Sequence, residues 1–173
     1  HIALNAGIAG GADVILIPEI PYSVRSIAKH IDKIRKKGRN HALIVVAEAV
    51  KKENGKRATV KFVDGEVRLG GIGSYLGDEI YKLTDAETRV TVLGHVQRGA
   101  QPTHRDRLIA SAFGVHAVDL IARNKFNRVV VWKNRSVQDV KLSDVAGYSK
   151  TLNKNDPLIK VAIALGIYIG EVN

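Results

Sequence analysis

Asp13-Val-Ile-Leu-Ile-Pro18 is the stretch on which the reading of the fold turns. A short apolar run held between Gly10-Gly11 and Pro18 has the form of a strand buried on both faces. Ser23 then stands ready to cap a helix. Its apolar positions Val24, Ile27, Ala28, Ile31 and Ile34 recur every three or four residues, and Gly38 closes it as the residue past the C-cap. Ala42-Leu-Ile-Val-Val-Ala47 follows as a second buried run. Strand, helix and strand so tightly punctuated predict a right-handed βαβ unit, and therefore a parallel-sheet α/β domain.

Working outward, His1-Ile-Ala-Leu-Asn-Ala6 reads as a helical turn before the first strand. Residues 49 to 71 change character. Lys51-Lys-Glu-Asn-Gly-Lys56 is a charged turn, and Thr59-Val-Lys-Phe-Val63, Asp64-Gly65 and Glu66-Val-Arg-Leu69 alternate like a small hairpin, so the segment reads as a surface excursion. A helix from about Ser74 to Leu83 returns the chain to Arg89-Val-Thr-Val-Leu93, a β-branched strand that stops at Gly94. Thr103 caps a long helix to about Ala122, with Leu108, Ala112, Val115, Ala117, Leu120 and Ile121 as much of its buried surface. Arg128 to Trp132 pairs with Val137 to Leu142, and Pro157 starts a last helix through Leu165.

Composition narrows the classes of function. With 27 Lys+Arg against 17 Asp+Glu, the formal charge of +10 favours an anionic partner. Aromatic residues make up only 5% and do not interleave with the cations, so phosphorylated small molecules fit better than nucleic acid. Without cysteine there is neither a disulfide framework nor a thiolate metal site, which is compatible with a reducing cytoplasm. The apolar stretches fall short of the ~20 residues a membrane helix needs. A soluble, cytoplasmic protein is the expectation, with neither nucleic acid nor membrane as partner. The chain has no methionine and opens at His1 inside a helical turn, which points to a fragment of something longer.

In parallel α/β sheets ligands sit beyond the carboxyl ends of the strands, which directs attention to Glu48 and His95, each just after an apolar run. Arg98 lies three residues beyond His95, in a loop with Gly94 and Gly99. Arginine and imidazolium together form a short-range anion clamp. Blander roles compete: Glu48 at a sheet edge, His95 as a structural histidine, Arg98 paired with Asp106. Gly70-Gly-Ile-Gly73 is a weak phosphate-loop candidate, with no lysine after it and no strand directly before it, and reads as a structural turn.

Taken whole, Arg89-Val-Thr-Val-Leu-Gly-His-Val-Gln-Arg-Gly99, Pro102 and Asp106-Arg-Leu-Ile-Ala-Ser-Ala-Phe-Gly114 closely resemble the C-terminal half of the 6-phosphofructokinases. Ile8-Ala-Gly-Gly-Ala-Asp13, Ile17-Pro-Glu-Ile20 and Gly38 through Glu48 resemble the same family in the same order. The likeness covers His1 to about Ala122 apart from residues 49 to 88, and is weak beyond.

The resemblance implies an α/β, parallel-sheet, three-layer (Rossmann-like) phosphofructokinase fold that is incomplete. Residues 1–98 would be part of the fructose 6-phosphate-binding domain, and residues 99–173 a C-terminal segment returning toward the donor-binding domain. Glu48 would hydrogen-bond the sugar hydroxyls, His95 and Arg98 would hold the 6-phosphate, and Arg89 would cross a subunit interface to the same phosphate in a neighbour. A homo-oligomer, dimer or tetramer, follows. Lys37 and Arg39 resemble residues that hold a regulatory nucleotide's phosphates, with Asp13 near a metal-binding acid, although Arg35-Lys-Lys37 also suits the negative end of a helix dipole. Ala100 stands where the family has a second glycine.

The family's glycine-rich donor loop and Thr-Ile-Asp base have no counterpart in this sequence. No catalytic residue and no metal ligand is therefore assigned. Mg2+ and ATP or pyrophosphate belong to the full-length glycolytic enzyme, and this segment alone is expected to bind none of them and not to catalyse. A sugar-phosphate-binding or regulatory module without catalysis is the alternative, and a basic nucleic-acid-binding protein a more distant one.

Overall fold

The computed structural model describes residues 1–61, 63, 65–149 and 151–171, with the backbone alone for Lys61 and Val67–Leu69. Two compact units divide the chain: His1–Val92 with Thr151–Asn173, and Leu93–Lys150. The first unit takes back the tail from Thr151, so compactness and the functional boundary expected at 98/99 divide the chain differently.

In the first unit, α1 (Ile2–Ala9) leads into β1 (Val14–Leu16), α2 (Val24–Lys36) and β2 (Ile44–Val46). β1 and β2 pair in parallel with Val14, Ile15 and Leu16 opposite Ile44, Val45 and Val46, which is the βαβ unit expected. Tyr168 adds a parallel rung on the other side of β1 at Val14. Successive side chains of a strand face opposite ways, and here the alternation separates two cores. Ile15 and Ile17 join Leu4 of α1 and Ile159 and Ala162 of α5 (Pro157–Ala164), together with Ile167 and Ile169. Val14 and Leu16 join Val24, Ile27 and Ile31 of α2 and Ile72, Leu76 and Ile80 of α3 (Ile72–Thr84). Helices on both sides of a small parallel sheet make the three-layer, incomplete α/β architecture.

All five apolar positions expected of α2 are buried, and Gly38 follows with a left-handed backbone. Each fully buried Val or Ile contributes about 1.5–3 kcal/mol relative to exposure, so this face anchors the helix. Ser23 occupies the N-cap but makes no side-chain cap bond. Glu53 supplies the acceptor instead, taking a hydrogen bond from the Val24 N–H at 3.2 Å.

Several expectations need correction. The run Ala42 to Ala47 is only half-buried, because β2 is paired on one edge alone and Leu43 is exposed. Residues 49 to 71 are more than a surface excursion. Val50 and Ala58 sit in the core, while β3 (Thr59–Lys61) and β4 (Val67–Leu69) form the hairpin, whose Phe62 and Asp64 lie outside the described residues. β4 also runs directly into Gly70-Gly71, so a strand does precede that glycine pair, with Gly71 as the left-handed N-cap of α3 and no lysine behind it.

Arg89–Leu93, expected as a strand, is not one. No β-strand among the described residues pairs with it, and Val92 is 80% exposed. A β-branched run has strand propensity, but a strand needs a partner ladder to form. Its start is held differently. Gly73 and Gly77, one turn apart on α3, leave a groove where an added Cβ would come within 2.8 Å of Val90 and 3.1 Å of Thr88.

The second unit contains a 3₁₀ turn (Gly94–Arg98), α4 (His104–Ala122) and the antiparallel pair β5 (Arg128–Lys133) and β6 (Ser136–Lys141). Thr103 caps α4 as expected, and Asp106 completes a capping box by accepting from the Thr103 N–H at 2.8 Å. The buried face assigned to α4 is overturned in large part. Only Leu120 is fully buried; Leu108, Val115 and Ile121 are exposed, while Ile109, Ala112, Phe113, His116 and Ala117 are half-buried. The helix carries two apolar stripes, and one of them faces solvent.

Candidate functional site

Glu48 and Arg89 belong to the first unit, His95 and Arg98 to the second. Glu48 leaves the carboxyl end of β2 and is exposed. Arg89 is 87% exposed, and among the described residues its one partner is its near neighbour Glu87 at 3.1 Å. Among the described residues, no hydrogen bond or ion pair joins Glu48 to Arg89.

His95 and Arg98 are brought together. Both lie on the 3₁₀ turn Gly94–Arg98, where residues three apart eclipse one another, so the imidazole and guanidinium leave the same side. Gly94 starts the turn at φ 51°, a left-handed conformation that an L side chain adopts at a cost of about 1–2 kcal/mol. Both side chains are exposed and neither is held in an ion pair among the described residues. Among the described residues Arg98 and Asp106 form no ion pair; the Asp106 carboxylate instead accepts from both the N–H and the Oγ1–H of Thr103. Those bonds hold the Asp106 carboxyl below its usual range. Ala100 is not among the positive-φ residues, so the missing glycine leaves the backbone unstrained.

Of the three residues of the regulatory likeness, two pair with each other and the third stands apart. Arg39 makes a two-pronged pair with Asp13, at 2.7 and 2.9 Å, and Asp13 also accepts from the Leu43 N–H at 2.8 Å. This buried carboxylate pins the chain after α2 to the start of β1. Lys37 is the C-cap of α2 and is exposed. His30 of α2 lies close by, its ring 6.1 Å from that of Tyr168, and burial pushes its pKa down. Among the described residues, no three acidic or histidine side chains gather as a metal site.

Sequence reasoning missed two clusters. One is the Asp13–Arg39 latch, which no spacing rule signals. The other joins α4 to the hairpin: Arg128 and His116 both reach Asp139, holding its carboxyl below the ordinary range. The capping box could have been found, since Thr103-x-x-Asp106 follows its spacing with Asp in place of Glu.

A cleft of about 220 Å³ opens at the carboxyl ends of β1 and β2, lined by Ile17 to Tyr22 and Val50 to Glu53. Three of its polar groups already have partners: Glu19 accepts from Leu152 N–H, Glu53 from Val24 N–H, and Tyr22 donates to the Lys51 carbonyl. Burial, then Tyr75 and Glu53, push the Tyr22 hydroxyl upward, which keeps it a donor.

An α/β chain carrying a basic 3₁₀ turn is the class this geometry defines. The family model described as Phosphofructokinase matches residues 1–121, and the chain belongs to that family. It is 52% identical over 171 residues to ATP-dependent 6-phosphofructokinase 1 of Nostoc sp., covering 99% of this chain and 48% of that protein. With ATP-dependent 6-phosphofructokinase 1 of Synechocystis sp. the identity is 48%, over 99% of this chain and 47% of the relative. The ATP-dependent 6-phosphofructokinase of Chloroflexus aurantiacus is 39% identical, over 98% and 47%. The chain thus spans about half the length of the curated relatives it matches.

Proposed function

We propose that this chain is the sugar-phosphate-binding, C-terminal half of a 6-phosphofructokinase, which phosphorylates fructose 6-phosphate to fructose 1,6-bisphosphate in the cytoplasm. The observation that carries this reading is the eclipsed pair His95 and Arg98 on a turn that Gly94 starts. A dianionic phosphate placed before them gains charge-assisted bonds from both. Glu48, at the end of β2, accepts from sugar hydroxyls. Arg89, extended into solvent, reaches the same phosphate in a neighbouring subunit of a homo-oligomer. Asp13 and Arg39 serve the fold, and Lys37 the end of α2.

The relatives' names favour ATP over pyrophosphate as donor. In this reading the donor site, its Mg2+ and the group that activates the sugar hydroxyl belong to the other half, and the outer stripe of α4 packs against the donor-binding domain. The isolated chain then has no turnover. In the full-length enzyme, Arg98→Ala and His95→Ala should each raise KM for fructose 6-phosphate by about tenfold or more, since a bond to a charged group is worth about 1.5–3 kcal/mol. KM for ATP should change far less. An unchanged KM for the sugar phosphate sinks the assignment.

A further inference from the structure

The loop between Val50 and Ala58 carries four cations and one acid, and the structure separates their fates. Both ends are buried in the core. Lys51 and Arg57 face each other across an antiparallel bridge, and the loop is closed by Lys52 N–H to the Lys56 carbonyl at 2.9 Å and Gly55 N–H to the Lys52 carbonyl at 2.8 Å. The Tyr22 hydroxyl holds the Lys51 carbonyl at 2.9 Å. This is a fixed loop.

Its charges are not balanced within it. Glu53, the one acid, is turned to the N-terminus of α2. Lys52 lies over the Tyr75 ring, 5.2 Å from its centre. Residues directly opposite on a ladder project on the same face with Cβ atoms about 4.5–5.5 Å apart, and like charges there repel. Lys51 and Arg57 are such a pair, exposed, with no carboxylate partner among the described residues. Two cations held side by side at a cost in stability form a receptor for a doubly charged anion.

We propose that Lys51 and Arg57 form a binding site for a phosphate group of a small molecule, separate from His95 and Arg98. Arginine supplies a planar two-donor fork and lysine a point charge, a combination suited to phosphate oxygens. Only two cations converge, and Tyr75 is already covered by Lys52, so the site fits one phosphate rather than a polymer with stacked bases.

The test uses the 173-residue chain in a His95→Ala/Arg98→Ala background, so that the proposed sugar-phosphate pair cannot contribute and the two ideas fail independently. Thermal melts followed by far-UV circular dichroism are recorded at matched ionic strength with inorganic phosphate, and separately with glycerol 3-phosphate. Either ligand, by binding the folded state, should raise the melting temperature by several degrees. A response to the ester alone identifies an esterified phosphate as the source. Lys51→Gln or Arg57→Gln should weaken the apparent affinity about tenfold or more, while without ligand at low salt each variant melts no lower than its parent because a repulsion has gone. A ligand-induced shift of equal size in parent and variants overturns the site. So does a low-salt melting temperature that falls on Arg57→Gln, or binding of a random oligonucleotide that phosphate does not displace.

Discussion

Two helices of similar promise in the sequence end differently, and the contrast between α2 and α4 is instructive. Each shows apolar residues at helical spacing, and each has a capping residue where the pattern begins. α2 buries every position assigned to it, because its single stripe meets the sheet and α3. α4 buries Leu120 and half-buries a stripe toward its hairpin, leaving Leu108, Val115, Val118 and Ile121 exposed on another side. A helix apolar on more than one side is built for an interior position. Periodicity states which residues call for burial and is silent on whether the covering element lies within the chain.

Three substitutions press on that contrast, in order of falling effect. Ile27→Ala removes a fully buried α2 side chain and should destabilise the first unit by about 2–5 kcal/mol, seen as a lowered urea midpoint by far-UV circular dichroism. A cost below 1 kcal/mol would mean that α2 is not the anchor described. Thr103→Ala deletes the α4 cap and should cost about 1 kcal/mol, read from the fluorescence of Trp132, the chain's one tryptophan, in the second unit. Asp106 adds a pH signature. Its folded pKa is depressed, so its contribution is present above the unfolded carboxylate range and lost as pH falls through the folded value, and Thr103→Ala should flatten that acid limb. Leu108→Gln, on the exposed stripe, should move the Trp132 midpoint by no more than about 0.5 kcal/mol. A loss as large as that from Ile27→Ala would erase the distinction between the two helices.

Legibility followed the range of the interactions. The βαβ unit was readable because strand, helix and punctuation are local: Ser23, Gly38 and the apolar spacing all lie within one stretch. The eclipsed placement of His95 and Arg98 was half-readable, since three-residue spacing in a glycine-bounded loop suggests a pair but not the 3₁₀ turn that aligns it. Arg89–Leu93 misled, because β-branched residues declare a preference that only a neighbouring strand can realise. Asp13 with Arg39, and Arg128 and His116 with Asp139, were invisible, since tertiary folding brings them together and no periodicity records it. Glu53 belongs with these: the cap of α2 comes from a residue far along the chain, while the local candidate, Ser23, makes no cap bond.

The rung that Tyr168 adds beside Val14 bears on the order of events during synthesis. Residues joined across such sequence separation must close a long loop before contact rewards them, which slows folding. The second unit is one continuous stretch and is complete on the ribosome by Lys150. The first has β1 made well before Tyr168 and cannot complete that rung until Tyr168 is made, so of the two units the one entered earlier along the chain is finished later.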